Sequence, residues 1–240
     1  MLDFLIDIDT QIFLFFNSLH LPFFDYFMKA FTGKIIWVPM YATLLYIIFR
    51  RFGWKVALCY TLAIPLVIMC ADQLCSSAIR PYVERLRPTH IDNPINSLVH
   101  MVDGYRGGKY GFPSCHASNS FALATFVALL FAKRRFTIFI LIWAFINSYS
   151  RLYLGVHYPG DLVIGGIIGA SIGFVGYIIA KNIAQYFSTT RDLEQHHFYA
   201  QLSMGNSAIT YQLSDITIAT GLIIAISIAI YSFLLGFNSP

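Results

Sequence analysis

Within the stretch Ser150 to Asp161 the chain places an arginine, Arg151, a histidine, His157, and a carboxylate, Asp161, with Pro159-Gly160 marking a turn at an element boundary. Asp161 follows His157 by four positions, so a helix opening near Tyr158 brings the carboxylate back one turn to the imidazole. A carboxylate there fixes the ring tautomer and supports the cationic ring, as a histidine that handles a phosphoryl group requires. Alone, a His and an Asp in a turn are ordinary polar punctuation, and two further patches strengthen the case. Arg80-Pro81-Tyr82-Val83-Glu84-Arg85-Leu86-Arg87-Pro88 carries three arginines, whose planar donor forks meet phosphate oxygens and stay charged when partly desolvated. Arginines anchored on lipid headgroups would have the same composition. Gly111-Phe112-Pro113-Ser114-Cys115-His116-Ala117-Ser118 signals a helix N-terminus at Pro113-Ser114. Its free backbone N–H groups and the helix dipole make an anion cradle around His116, or, more plainly, a Ser cap beside an interfacial histidine.

An apolar scaffold has to hold these residues. Of 240 residues, 57% are hydrophobic and 12% charged, with a mean hydropathy of +0.64, whereas a soluble domain carries about 25% charged residues. The composition excludes an ordinary soluble protein and specifies an all-α, polytopic membrane helical bundle. The net charge of +4 is scattered or gathered at segment ends, without the dense basic stripe that a nucleic-acid partner requires. Cys59, Cys70, Cys75 and Cys115 lie in or beside apolar segments and lack the paired spacing of a zinc site. Neither a disulfide framework nor a metal or other cofactor is implied. The N-terminus carries Asp3, Asp7 and Asp9 without a basic stretch, unlike a cleavable signal peptide.

Residues 1–30 alternate acidic and aromatic types and are interrupted by Asn17, His20 and Pro22 before reaching the roughly 20 residues a span needs. They read as two short amphipathic helices in the interface. Six spans follow, at about 32–49, 56–79, 114–132, 136–149, 161–180 and 216–237. The second contains Asp72, which has to face the bundle interior. The fifth carries Gly165, Gly169 and Gly173 at intervals of four, a stripe for close helix contact. The expected organisation is one membrane-embedded domain, with interfacial helices (1–30), a catalytic core (32–185), a polar loop (186–214) that includes His196 and His197, and a C-terminal transmembrane helix (215–240).

Connectivity tests the grouping. The polar segment 80–112 joins spans two and three, the Ser150 to Asp161 stretch joins spans four and five, and one turn at 133–135 lies between them. Both loops therefore share a membrane face. Lys and Arg tie at eight on each face; setting aside Arg80, Arg87 and Arg151 as held by chemistry leaves eight against five and turns the site outward.

The pattern Arg80-x6-Arg87-Pro88, then Pro113-Ser114-Cys115-His116, then Ser150-Arg151-x5-His157-x3-Asp161, resembles the three-part signature of the type 2 phosphatidic acid phosphatase (PAP2) superfamily, which also holds vanadium-dependent haloperoxidases. Two positions depart from it: the family usually has lysine in place of Arg80 and glycine in place of Cys115. The resemblance implies that His157 attacks phosphorus and forms a phosphohistidine while Asp161 holds the other ring nitrogen. It implies that His116 protonates the leaving oxygen and then activates water. Arg80, Arg87, Arg151, Ser114 and the Cys115 N–H would hold the non-bridging oxygens, with no metal.

On the same resemblance the protein is expected to be a lipid phosphatase of a bacterial inner membrane, its site facing the periplasm or exterior and its partners the bilayer and a lipid phosphate. Undecaprenyl pyrophosphate and lipid A lead the expected substrates, ahead of phosphatidylglycerol phosphate and phosphatidic acid. A lipid phosphotransferase, and a membrane anion or lipid transporter without turnover, are the rival expectations. The lack of an internal repeat weighs against the transporter.

Overall fold

The computed structural model describes residues 2–187 and 207–238. Among them the regular structure is helical, with one isolated bridge between Leu86 and Tyr110. The N-terminus forms α1 (Leu2–Ser18) and α2 (Pro22–Phe31), the latter opened by a proline in its first turn. A 3-10 turn at Ile35–Trp37 leads into α3 (Val38–Arg51). Then α4 (Trp54–Gln73) continues through a π-helical turn, Leu74–Ile79, into α5 (Arg80–Val83). A long loop precedes α6 (Cys115–Phe131), α7 (Arg134–Tyr153) and α8 (Pro159–Phe187), and α9 (Ser207–Asn238) ends the described chain. His196 and His197 lie outside the described residues.

Among the described residues four helices are long and apolar enough to cross a bilayer: Trp54–Val83, Arg134–Tyr153, Pro159–Phe187 and Leu213–Phe237. The pair Pro22–Phe31 and Ile35–Arg51, bent by 68°, passes the same test only when taken together, as a broken span or a re-entrant loop. The third expected span, 114–132, becomes α6, which has 17 residues, about 26 Å at 1.5 Å per residue, shorter than a hydrocarbon core of about 30 Å. Its burial explains this. Ala117, Ala122, Ala124, Phe126 and Val127 are fully buried, so α6 is a central post surrounded by helices, with little of it meeting lipid. By contrast α8 and α9 expose Val163, Ile167, Phe174, Ile223 and Phe233, as lipid-facing helices should.

α8 packs on α6 at close backbone approach. A Cβ on Gly165, Gly169 or Gly173 would run into the carbonyl oxygen of Ser114, Ser118 or Ala122 respectively. The glycine stripe therefore lets two backbones touch, and it fixes the start of α6 against the start of α8. Asp72 accepts a hydrogen bond from Asn119 Nδ2 at 2.8 Å, the interior partner that an intramembrane carboxylate demands.

The segment between α5 and α6 is pinned rather than free. Arg87 N–H donates to the Lys109 carbonyl (3.1 Å) and Gly111 N–H to the Arg85 carbonyl (2.9 Å), closing the segment on itself. Buried Asn17 of α1 ties it to α7, accepting from His100 N–H (2.8 Å) and donating to the Tyr153 carbonyl (3.0 Å).

Candidate active site

Three local structures deliver the side chains. The end of α7 is a Schellman turn: Val156 N–H donates to the Arg151 carbonyl (3.0 Å), Gly155 N–H to the Leu152 carbonyl (2.9 Å), and Gly155 takes a φ of 74°. Glycine is required at that left-handed position, and the turn throws Val156 and His157 back toward the loop. Ser114 caps α6, its Oγ accepting from Ala117 N–H at 3.4 Å, so the helix opens at Cys115 with Pro113 just outside it. Ser114 N–H donates to the Asp161 carbonyl at 3.0 Å, stitching the α6 cap to the first turn of α8.

At the centre lies His157, 2% exposed, beside fully buried Asp161. As the four-residue spacing anticipates, Nδ1 lies 3.3 Å from Asp161 Oδ2, which also accepts from Tyr158 N–H at 3.0 Å. On the other side of the ring, Arg87 Nη1 lies 2.8 Å from Nε2. A guanidinium only donates, so Nε2 is the acceptor and Nδ1 carries the proton that it gives to Asp161. Burial, reinforced by the charges of Arg87, Arg151, Arg80 and His116, holds His157 well below its usual pKa of 6.5. The ring is neutral at pH 7, with its lone pair on Nε2. Arg87, 8% exposed, is lowered to about 10 by burial and by the charges of Arg80 and Arg151, and stays cationic at neutrality.

All eight residues singled out in the sequence are drawn into this region. Arg80 Nη2 donates to the Pro113 carbonyl (3.0 Å) and to Cys115 Sγ (2.7 Å). The position expected to supply only a backbone N–H thus also presents its thiol to an arginine. Arg87 is steadied by the carbonyls of Tyr110 (from Nε, 3.1 Å) and Val156 (from Nη1, 3.0 Å). Arg151 Nη1 donates to Thr32 Oγ1 (3.2 Å) and Nη2 to the Tyr105 hydroxyl (3.0 Å). His116 Nε2 sits 3.0 Å from Asn147 Oδ1 and 3.2 Å from Thr32 Oγ1. Asn147 Nδ2 donates to Ser120 Oγ at 3.0 Å, which turns the amide oxygen toward the imidazole.

Sequence reasoning missed Thr32, Asn147, Tyr105 and Asp9, and grouped Arg85 with the phosphate-meeting arginines, whereas it pairs with Asp9 and Asp161. Asn147 was findable, because it stands one helical turn before Arg151 in an otherwise apolar span. Asp9 and Thr32 had no such signal: each reaches the region from an N-terminal helix far away in the chain. Among the described residues no group of three His, Cys, Asp or Glu side chains could hold a metal ion.

The pattern of the PAP2 superfamily matches residues 61–185. The chain is 54% identical over 232 residues to the lipid A 4′-phosphatase of Bacteroides thetaiotaomicron, covering 97% of this chain and 98% of that protein. It is 34% identical over 176 residues to the lipid A 4′-phosphatase of Porphyromonas gingivalis, covering 73% of this chain and 74% of that one. In fold it is similar to the transmembrane PAP2-type phosphatidylglycerolphosphate phosphatase of Bacillus subtilis, with a TM-score of 0.52 at 21% identity over 78% of this chain and 89% of that chain. With the three motifs at one end of a helical bundle, the family pattern over half of the sequence and a relative alike from end to end, this chain belongs to the PAP2 superfamily.

Proposed function

We propose that the protein removes a phosphate monoester from a lipid A-type glycolipid through a phosphohistidine on His157. The observation that carries this reading is a cavity of about 600 Å³ that begins at Thr32, His116 and Asn147 and continues into the bundle past Tyr41, Leu62 and Ile68. A polar mouth on an apolar recess suits a phosphate whose carrier stays in the bilayer. Arg80 Nε and Arg151 Nε support it, since they are buried donors without a partner, a costly state that phosphate oxygens would relieve. The relatives from Bacteroides thetaiotaomicron and Porphyromonas gingivalis put lipid A first among the substrates.

In the reaction proposed, His157 Nε2 attacks phosphorus as the bond to the carrier oxygen breaks, and His116 gives that oxygen its proton. Asp161 offsets the charge that the His157 ring gains. Arg80, Arg87 and Arg151, with the Ser114 and Cys115 end of α6, steady the non-bridging oxygens, and such positioning and charge neutralisation dominate phosphoryl transfer. His116 then takes a proton from water as the water oxygen attacks phosphorus; the N–P bond breaks with its electron pair returning to His157 Nε2, and phosphate is freed. We assign the site to the periplasmic face of an inner membrane, a reading supported by the basic residues only once Arg80, Arg87 and Arg151 are set aside from an even count.

Phosphate release from lipid A, undecaprenyl pyrophosphate, phosphatidylglycerol phosphate and phosphatidic acid by detergent-purified protein tests this. Lipid A should be hydrolysed fastest, without added metal, and His157→Ala and His116→Ala should be nearly inactive. Turnover surviving in His157→Ala removes the nucleophile assignment; preference for undecaprenyl pyrophosphate replaces the substrate. Vesicle uptake without phosphate release by the wild type would mark a transporter.

A further inference from the structure

Behind the histidine–aspartate pair stands a second layer that belongs to the N-terminal helix. Arg85 Nη1 lies 3.0 Å from Asp161 Oδ1 and 2.7 Å from Asp9 Oδ2 of α1, so one guanidinium nitrogen bridges two carboxylates. The other Asp9 oxygen, Oδ1, accepts from Gly160 N–H at 2.8 Å in the first turn of α8. Arg85 also lies over the Tyr158 ring, 3.8 Å from its centroid, and fully buried Phe13, one turn beyond Asp9, packs edge-on against that ring at 5.3 Å. The fit at Gly160 is close: a Cβ there would lie 2.9 Å from Asp9 Oδ2. All of α1 lies before residue 61, outside the segment that the family pattern matches.

We propose that Asp9 and Arg85 are positioning residues of the reaction, and that α1, through the chain Asp9–Arg85–Asp161, sets the orientation and effective charge of the carboxylate that holds His157. The proposal rests on His157 being the nucleophile. Arginine suits the bridge because the two N–H groups of one terminal nitrogen serve the two carboxylates while the planar guanidinium lies over the Tyr158 ring, a stacking that a lysine ammonium does not reproduce. The charged and titratable groups around His157 come from every neighbouring element: Asp161 on α8, Arg80 on α5, Arg85 and Arg87 in the loop, Arg151 on α7 and His116 on α6, with Asp9 of α1 behind Arg85 and the Tyr158 hydroxyl beside it. Arg85 moderates the one carboxylate in that ring of cations, and Asp9 moderates Arg85.

The two residues should therefore act with opposite sign. In Arg85→Gln the Asp161 charge is no longer offset, and the His157 titration should move up by about one pH unit. In Asp9→Asn the Arg85 charge is less compensated, and the titration should move down. Misorientation of the ring should lower kcat by about 10-fold for Asp9→Asn and about 100-fold for Arg85→Gln, with KM within about 2-fold of wild type. Asp9→Glu, which keeps the charge, should restore the wild-type midpoint. Asn keeps an acceptor for Gly160 N–H, so Asp9→Asn carries the test if Arg85→Gln does not fold; there Arg85→Lys should keep the midpoint and still lose kcat.

The measurement is histidine-selective 15N NMR of the detergent-solubilised full chain, assigned with His157→Gln, alongside kcat and KM. It needs no turnover, so a wild type that releases no phosphate condemns the phosphatase reading and leaves the titration readable. Folded variants whose midpoints and kcat stay at wild-type values, or whose midpoints move in the same direction, overturn the positioning role.

Discussion

Arg87 Nη1 stands 2.8 Å from the Nε2 of His157 while also donating to the Val156 carbonyl at 3.0 Å. The nitrogen proposed to attack phosphorus is thus covered by the cation proposed to hold a phosphate oxygen. For attack to occur an oxygen of the substrate has to take over the Arg87 N–H, uncovering the lone pair as it binds. Arg87→Lys loses this exchange because an ammonium cannot keep the Tyr110 and Val156 carbonyls and also serve the phosphate. Its kcat/KM should fall by about 100-fold or more; steady-state rates within about 3-fold of wild type would remove Arg87 from the phosphate site.

The depressed His157 has two consequences with pH. Between its ordinary 6.5 and its lower value in the fold, the unfolded chain binds more protons than the native one. Stability should therefore rise with pH across that window and be lost as pH falls below 6.5. The acid limb of kcat/KM, corrected for the second ionisation of a phosphate near a pKa of about 6, should lie below 6.5. A bound phosphate offsets the arginine charges, so the acid limb of kcat should lie at higher pH than that of kcat/KM. Coincident limbs would show that those charges do not act on His157.

Gly169→Ala should damage both stability and chemistry. The added methyl meets the Ser118 carbonyl, and separating α8 from α6 moves His157 and Asp161 away from Ser114 and His116. Overpacking of this kind costs about 1–3 kcal/mol, seen as a lower Tm together with reduced kcat. Gly108→Ala is the control, since its Cβ would have no atom within 4 Å, and it should leave both unchanged.

Orientation is open to labelling. Asp103 is exposed, paired only at the surface with Lys29, and a cysteine there in a background lacking the four native cysteines should react with an impermeant maleimide added outside intact cells. Reaction only after permeabilisation would turn the site to the cytoplasm.

Much of this arrangement was legible because it is local. His157 and Asp161 are one turn apart, the glycines recur on one helical face, and Ser114 caps the helix that follows it; spacing alone shows such relations. Helix lengths were less legible. Lys181 ends the apolar run of α8, yet backbone bonding carries the helix on to Phe187, since a charge at a lipid interface does not break a helix. The N-terminal segment hid most. Residues 1–30 read as interfacial helices apart from the core, whereas α2 joins α3 as a bent pair, Thr32 at the bend contacts both His116 and Arg151, and Asp9 reaches Arg85. Contacts between segments so far apart in the chain leave no periodic trace.

The guanidinium groups gathered at this mouth outnumber the carboxylate that faces them, and free orthophosphate carries the same oxygens as the ester they are proposed to grip. Affinity for the substrate is then also affinity for what is left behind. Departure of the inorganic product, rather than cleavage, becomes the natural brake on the cycle, and millimolar phosphate in the medium should slow the enzyme by competing for its mouth.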